Sequence, residues 1–268
     1  MAGPEDDDSR QAQALQRELA AAGHACEVRW VAVTGSTNTD LQASLRAGGG
    51  VQCLVAGHQS AGRGRRARTW HDDAGGAQLL CSLAWPLPRG CELGGLSLAV
   101  GVWLVRAVQD LGMRQAMLKW PNDVLAGERK LAGVLVEVTD TAAARWVVIG
   151  IGLNLRAPAQ LEQATGLLEH GVRADRWQAL RRLLPRLIGG LQEFALRGFA
   201  PWTAEWNALH AWAGRDVELR GDAAPRLRGT ALGVDEQGFL WLRTPAGRER
   251  VTSGDVSLRT HDAGPEAS

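Results

Sequence analysis

Apolar and polar residues alternate along the chain in two periods, and these mark out its elements. Ala12, Leu15 and Leu19 fall on one face of a helix that Ser9 can cap and that runs to about Ala22. Residues 1–8, an acidic lead with Glu5, Asp6, Asp7 and Asp8, are expected to be disordered. VRWVAV (28–33) predicts a strand, and TGSTNTD (34–40) a turn feeding a short helix near Leu41 to Arg46. QCLVAG (52–57), AQLLCSLAW (77–85) and RWVVIGIGLNL (145–155) read as strands. LSLAVGVWLVRAVQDLG (96–112) is apolar nearly all round at helical length, which predicts a buried helix. MLKWPNDVLAGERKLAGVLVEV (117–138) predicts two strands around a tight AGER turn. From about Asp175 to His210 the period is helical, with Pro185 expected to kink or split it. After Ala213 short strands alternate with Gly and Asp turns, which predicts a small β-barrel. The fold class is therefore α+β, a mixed sheet flanked by helices plus a small all-β module. The expected domains are a lead at 1–26, a main domain at 27–212, the β module at 213–261 and a disordered tail at 262–268.

Composition narrows the function. With 30 basic and 29 acidic residues the net charge is +1, which argues against a protein that coats nucleic acid. No apolar run reaches the roughly 18–20 residues of a membrane span, and the acidic start is no signal peptide. Cys26, Cys53, Cys81 and Cys91 lack CxxC spacing and read as buried thiols of a reducing, cytoplasmic compartment. With eleven Trp and no Tyr, indoles must do much of the aromatic work.

The densest chemistry is AGRGRRART, residues 61–69, which sets Arg63, Arg65, Arg66 and Arg68 on a glycine-rich segment. Glycines let backbone N–H groups approach phosphate oxygens, and arginine forks hold such oxygens in pairs. The alternative is a solvated basic loop. Gly62, Gly64 and Ala67 also fit the dinucleotide pattern GxGxxG/A, but no helical period follows and no acid ends a second strand, so that reading fails. Trp70 either stacks on a purine or anchors the loop. GSTNTD groups hydroxyls and amides that make directional hydrogen bonds, although Thr39 or Asp40 could simply cap a helix. KWPND (119–123) offers a cation and a carboxylate suited to phosphate and magnesium. Lys130 enters an apolar strand, where a solvated edge position is the plainer reading. Gly150 and Gly152 interrupt a strand, which marks close approach of backbone or ligand.

Taken in order, STN at 36–38, Gln59 before GRGRRAR-W at 62–70, KWPND, RKLAG-LVE at 129–137 and G-GLN at 150–154 resemble the biotin protein ligases, the biotin–[acetyl-CoA-carboxylase] ligases. The resemblance spans about residues 30 to 260, including an SH3-like C-terminal module. It implies a catalytic domain like that of class II aminoacyl-tRNA synthetases. It also implies ATP and biotin as substrates, Mg²⁺, and a biotin carboxyl carrier domain as the partner that accepts biotin on a lysine. Biotin would meet Ser36, Thr37, Asn38, Gln59, Arg63, Gly64, Arg65 and Lys130. ATP would meet Arg65, Arg68, Trp70, Lys119, Asn122, Asp123, Asn154 and Arg259, with Asp123 toward magnesium. Arg63, Arg65, Lys119 and Lys130 would stabilise charge during catalysis.

Two departures stand out. Ala67 replaces the family's third loop glycine, a position where positive φ would be strained. Only about 27 residues precede the first strand, too few for the winged helix-turn-helix of the regulatory members, which needs about 60. DNA binding is therefore not expected; a homodimer through a sheet edge is possible but not required. The rival readings are a lipoate or octanoate ligase or transferase, which should lack the STN and Gln59 cluster, and a non-catalytic nucleic-acid-binding module.

Overall fold

A computed structural model describes residues 4–72, 76–142, 144–220, 227–252 and 257–260. A seven-stranded sheet runs β1-β2-β3-β7-β6-β5-β4. Its strands are β1 (Glu27–Thr34), β2 (Gln52–Gln59), β3 (Gln78–Leu87), β4 (Ala116–Lys119), β5 (Asp123–Ala126), β6 (Arg129–Asp140) and β7 (Arg145–Asn154). β1 and β2 are parallel and every other neighbour is antiparallel, so the sheet is mixed. Helices α1 (Pro4–Ala21), α3 (Leu96–Asp110) and α4 (Arg176–Arg197) share one apolar core with it, and α2 (Thr37–Arg46) has a small core of its own. A helix α5 (Thr203–Ala208) leads to a second, antiparallel sheet ordered β11-β10-β9-β8-β12. Its strands are β8 (Asp216–Arg220), β9 (Leu227–Val234), β10 (Leu240–Thr244), β11 (Gly247–Val251) and β12 (Ser257–Thr260).

Side-chain alternation decides which face can hold a site. On β2, β3 and β7, residues Cys53, Val55, Cys81, Leu83, Val147, Ile149 and Ile151 belong to the large core. The alternate residues Leu54, Ala84 and Val148 pack under Leu41 and Leu45 of α2. On that second face Gly150 lies between Ser82 and Leu135, and Gly152 between Leu80 and Gly133. Three glycines in two adjoining rows leave the sheet without side chains there, and a hollow results.

Four local expectations need correction. The helix α1 starts at Pro4 rather than Ser9, so most of the acidic lead is its first turns. Carboxylates there favour the helix N-terminus, and Asp8 accepts a hydrogen bond from Trp177 Nε1 (2.6 Å). The helix α2 starts at Thr37 with Ser36 at the cap position, so Thr39 and Asp40 lie inside it. The 117–138 segment forms three strands, because WPN makes a second turn, with a cis Trp120–Pro121 bond. Pro185 does not divide α4, which runs unbroken from an Asp175–Gln178 capping box. A mid-helix proline costs about 3 kcal/mol. Burial of Trp177, Leu180, Leu184, Leu187, Leu191 and Phe194 along its face, at about 1.5–3 kcal/mol each, outweighs that. The tail at 262–268 lies outside the described residues.

Cys26, Cys53 and Cys81 are buried and all four cysteines are free. Burial pushes the Cys26 thiol up to about 12, so it packs rather than reacts. Among the described residues no helix is long and apolar enough to cross a membrane.

The two sheets meet beside the KWPND turn. Leu118 N–H donates to Leu209 and Ala211 N–H to Leu118. Asn207 pairs with both backbone groups of Val234 (3.0 and 2.7 Å), and Trp120 Nε1 donates to the Gly238 carbonyl (3.2 Å). Between them His210 is 3% exposed and packs on Trp206 (4.8 Å), and neither ring nitrogen has a partner among the described residues. Desolvation lowers its pKa from 6.5 to about 4. The unfolded chain therefore binds a proton through the pH 6.5-to-4 window that the folded chain refuses. Stability from this group is full above pH 6.5 and lost as pH falls toward 4, by about 3 kcal/mol. Urea denaturation of wild type and His210→Phe across pH 4–7 should show this excess acid loss only in wild type. Parallel curves would refute the assignment.

Candidate active site

The hollow is a cavity of about 190 Å³ over the glycine rows, walled by the start of α2, the arginine loop and the KWPND turn. It gathers Ser36, Thr37, Asn38, Gln59, Arg63, Gly64, Arg65, Arg68, Trp70, Lys119, Asn122, Asp123 and Lys130. These come from separate segments that the sequence shows only in order. Asn154 is not among the described lining residues. Asn154 is 2% exposed and its amide is taken up by the protein. It accepts from Gln78 Nε2 (2.9 Å) and donates to the carbonyls of Lys130 (3.3 Å) and Thr165 (3.0 Å). It thus secures the strand that carries Lys130. Arg259 pairs through its backbone with Glu218 on β8, and its side chain lies outside the described residues.

One end of the cavity is a polar relay. Gln59 Oε1 accepts from Thr37 N–H (2.8 Å) and lies 3.1 Å from Thr37 Oγ1. Thr37 Oγ1 and Ser82 Oγ are 2.6 Å apart, and Ser82 donates to Asn38 Oδ1 (2.6 Å). Asn38 Nδ2 donates to Glu137 Oε2 (2.8 Å). The two hydroxyls have only two protons for these contacts. With Ser82 donating to Asn38, Thr37 donates to Ser82 and keeps a lone pair to offer. Thr37, Asn38 and Ser82 are buried, so this set suits a neutral ligand carrying both N–H and C=O groups. Gly150 makes room for it, because a Cβ there would lie 2.4 Å from Asn38 Oδ1.

The other end is cationic. Arg63, Arg65, Arg66, Arg68, Lys119 and Lys130 line the cavity, and Asp123 is the one carboxylate among the described lining residues. Asp123 sits between the lysines, 2.6 Å from Lys130 Nζ and 3.9 Å from Lys119 Nζ. Lys130 therefore faces the cavity with a defined partner, unlike a solvated edge lysine. Asn122 Nδ2 donates to the Val134 carbonyl (2.7 Å) and fixes the turn on β6. Arg63 lines the cavity and is paired with Glu137 (2.6 Å).

Trp70 is an anchor. A Cβ on Gly152 would lie 2.4 Å from its indole and one on Gly133 3.0 Å, so the ring lies on the bare part of the sheet. Its Nε1 donates to Gln78 (3.3 Å), and the Lys130 ammonium sits 5.3 Å from the ring centre. The loop folds back as a small hairpin through Gly64 N–H to Arg68 O (2.7 Å) and Trp70 N–H to Gly62 O (2.9 Å). The left-handed position in its turn is Arg66 (φ 57°), a neighbour of Ala67.

Sequence reasoning left three contributors without a role: Ser82, Glu137 and Asp72. Glu137 lies inside the RKLAG-LVE motif, so its type was visible. Asp72 is 13 residues past Gln59 and holds its backbone N–H (2.8 Å), a closure that no local pattern announces.

The mixed sheet thus carries a polar relay at one end of a cleft and lysines and arginines at the other, an arrangement suited to an enzyme that brings an acid to a phosphate. Comparison with known proteins agrees. Residues 30–154 match the biotin/lipoate A/B protein ligase family, and residues 213–259 the biotin protein ligase C-terminal domain. A biotin–[acetyl-CoA-carboxylase] ligase of Mycobacterium tuberculosis is 37% identical over 245 residues, 84% of this chain and 86% of that protein. The bifunctional ligase/repressor BirA of Escherichia coli is 36% identical over 215 residues, 77% of this chain and 66% of its own length. A biotin protein ligase from Aquifex aeolicus, solved in complex with biotin and ATP, superposes with a TM-score of 0.76 at 29% identity, covering 87% of this chain and 98% of that one. The chain belongs to the biotin protein ligase family.

The seating of Trp70 gives a prediction. Gly152→Ala should drive a methyl into the indole, weaken ATP binding by calorimetry about tenfold or more, and cost about 1–3 kcal/mol of stability through overpacking. Unaltered ATP affinity would show that the seated ring is not part of the nucleotide site.

Proposed function

We propose that this chain activates biotin with ATP and transfers it to one lysine of a biotin carboxyl carrier domain. The observation that carries the reading is the two-ended cavity. A relay of Thr37, Gln59, Asn38 and Ser82 suits the N–H and C=O groups of a ureido ring, and the cations around Lys130 suit a carboxylate meeting a phosphate. Lipoate has a dithiolane ring with no such groups, and burying the relay against it would leave polar atoms unpaired.

In the first step a carboxylate oxygen of biotin attacks the α-phosphorus of ATP. The bond to the β-phosphate oxygen breaks, and pyrophosphate leaves. Two like charges 4 Å apart repel by about 4 kcal/mol at an effective dielectric of about 20. Lys130, Lys119 and Arg65 offset that repulsion and hold the charge that builds up on phosphorus. Trp70, Arg68 and Asn122 shape the nucleotide side of the cleft, and Ser36 and Gly64 border the acid side. In the second step the carrier's lysine amine attacks the acyl carbon, loses a proton, and AMP leaves.

Asp123 has a lysine near each oxygen, and among the described residues no group of three acidic, His or Cys side chains could hold a metal. Magnesium is therefore assigned to the triphosphate it enters with, Asp123 contributing at most one ligand. Arg259 is placed at the nucleotide as the C-terminal module's contribution. The neutral charge balance and buried thiols fit a cytoplasmic enzyme.

Incubation with ATP, Mg²⁺ and labelled biotin should yield an adenylate that co-elutes with the protein and then labels an isolated carrier domain. Labelling by lipoate instead would overturn the reading. Lys130→Ala should lower pyrophosphate release about 100-fold or more with the fold intact; an unchanged rate would remove Lys130 from the chemistry. Arg65→Gly should release the adenylate and biotinylate bystander proteins, whereas an inert variant without stray labelling would exclude a retention role.

A further inference from the structure

We propose that Asp72 and Glu137 are positioning residues that fasten both ends of the arginine loop to the ring-recognition relay, so that loop order and acid binding support each other. The proposal rests on the biotin reading for its ligand, and on geometry alone for the fastening.

The contacts form a closed circuit. Asp72 Oδ2 accepts from Gln59 N–H (2.8 Å) and lies 2.8 Å from His58 Nδ1. Its side chain is 2% exposed, so the carboxylate depends on these partners for solvation. Gln59 holds Thr37, Thr37 meets Ser82, Ser82 holds Asn38, and Asn38 holds Glu137. Glu137 Oε2 accepts from Arg63 (2.6 Å). Arg63 opens the loop and Asp72 follows it, and the loop's own hairpin bonds join the two. Gln59, Thr37, Ser82 and Asn38, the relay that faces the ligand's ring, thus lie between two carboxylates, each holding one end of the loop.

Two consequences follow from this arrangement. Removing Asp72 leaves Gln59 N–H without an acceptor and frees the residue that orients Thr37. Removing Glu137 frees Arg63 and lets the Asn38 amide turn, which unsettles the relay from its other end. Either change opens the same circuit, and neither removes Lys130 or Lys119. The effect should therefore fall on capture of the acid and on closure of the loop, not on the rate once both substrates are bound.

The test compares Asp72→Ala, Glu137→Ala, the double variant and the isosteric Asp72→Asn. Two readouts are used: tryptic nicking at the loop arginines of the ligand-free protein, and biotin-dependent exchange of labelled pyrophosphate into ATP. Nicking reports the open population of the loop without any catalysis. Each alanine variant should be nicked about fivefold faster and show a KM for biotin raised about tenfold, with kcat within about twofold of wild type. Asp72→Asn keeps an acceptor for Gln59 N–H and should bring KM back to within about threefold of wild type. The double variant should resemble the worse single variant, because a circuit broken twice is still one broken circuit. Unchanged nicking, a fall in kcat at constant KM, an Asp72→Asn variant as impaired as Asp72→Ala, or KM effects that multiply would each overturn the proposal. If wild type itself shows no biotin-dependent exchange, the biotin reading fails, and the nicking rates alone decide the fastening.

Discussion

Like charges must be brought together in this cleft, and its architecture follows from that requirement. A carboxylate will not approach a polyphosphate in water-like surroundings without fixed cations nearby. Here the cations come from segments far apart in the chain: Lys119 from the end of β4, Lys130 from the start of β6 and Arg65 from the loop after β2. Asp123 lies between the two lysines and offsets their mutual repulsion, which keeps two ammonium groups in one small volume. Glu137 pairs with Arg63, so one arginine of the loop is fastened to β6.

The sheet makes the space. Leu79, Cys81, Ile149 and Ile151 fill one side of β3 and β7, and the opposite side loses its side chains at Gly133, Gly150 and Gly152. Asn38 and Trp70 move into the room so created and form two walls of the cavity. The large core beneath is rigid because it is closely packed. The second sheet is joined to the first by directional bonds from Asn207 and Trp120, so its position is tied to the KWPND turn at the cationic end.

Most elements could be read from periodicity, because a two-faced sheet and an all-apolar helix such as α3 announce themselves. Mistakes arose where short-range rules met long-range packing. β4 and β5 are four residues each, too short to show alternation, so the turn at WPN was hidden. Pro185 obeyed burial and not its own propensity. The site residues were legible in the motifs, and among those whose side chains are described all but Asn154 line the cleft. Asn154 was given a ligand's role because its motif is polar, yet its three bonds go to Gln78, Lys130 and Thr165. Glu137 and Asp72 went unassigned because their value lies in partners, Asn38, Arg63 and Gln59, that only the folded chain brings near.

The central claim is that biotin's carboxylate itself strikes phosphorus. Biotin carrying ¹⁸O in both carboxylate oxygens tests this most directly, with mass spectrometry of the AMP formed on complete transfer to a carrier domain. The account predicts one ¹⁸O in each AMP and one left in the amide, since the bridging oxygen departs with phosphorus. AMP free of ¹⁸O would contradict it.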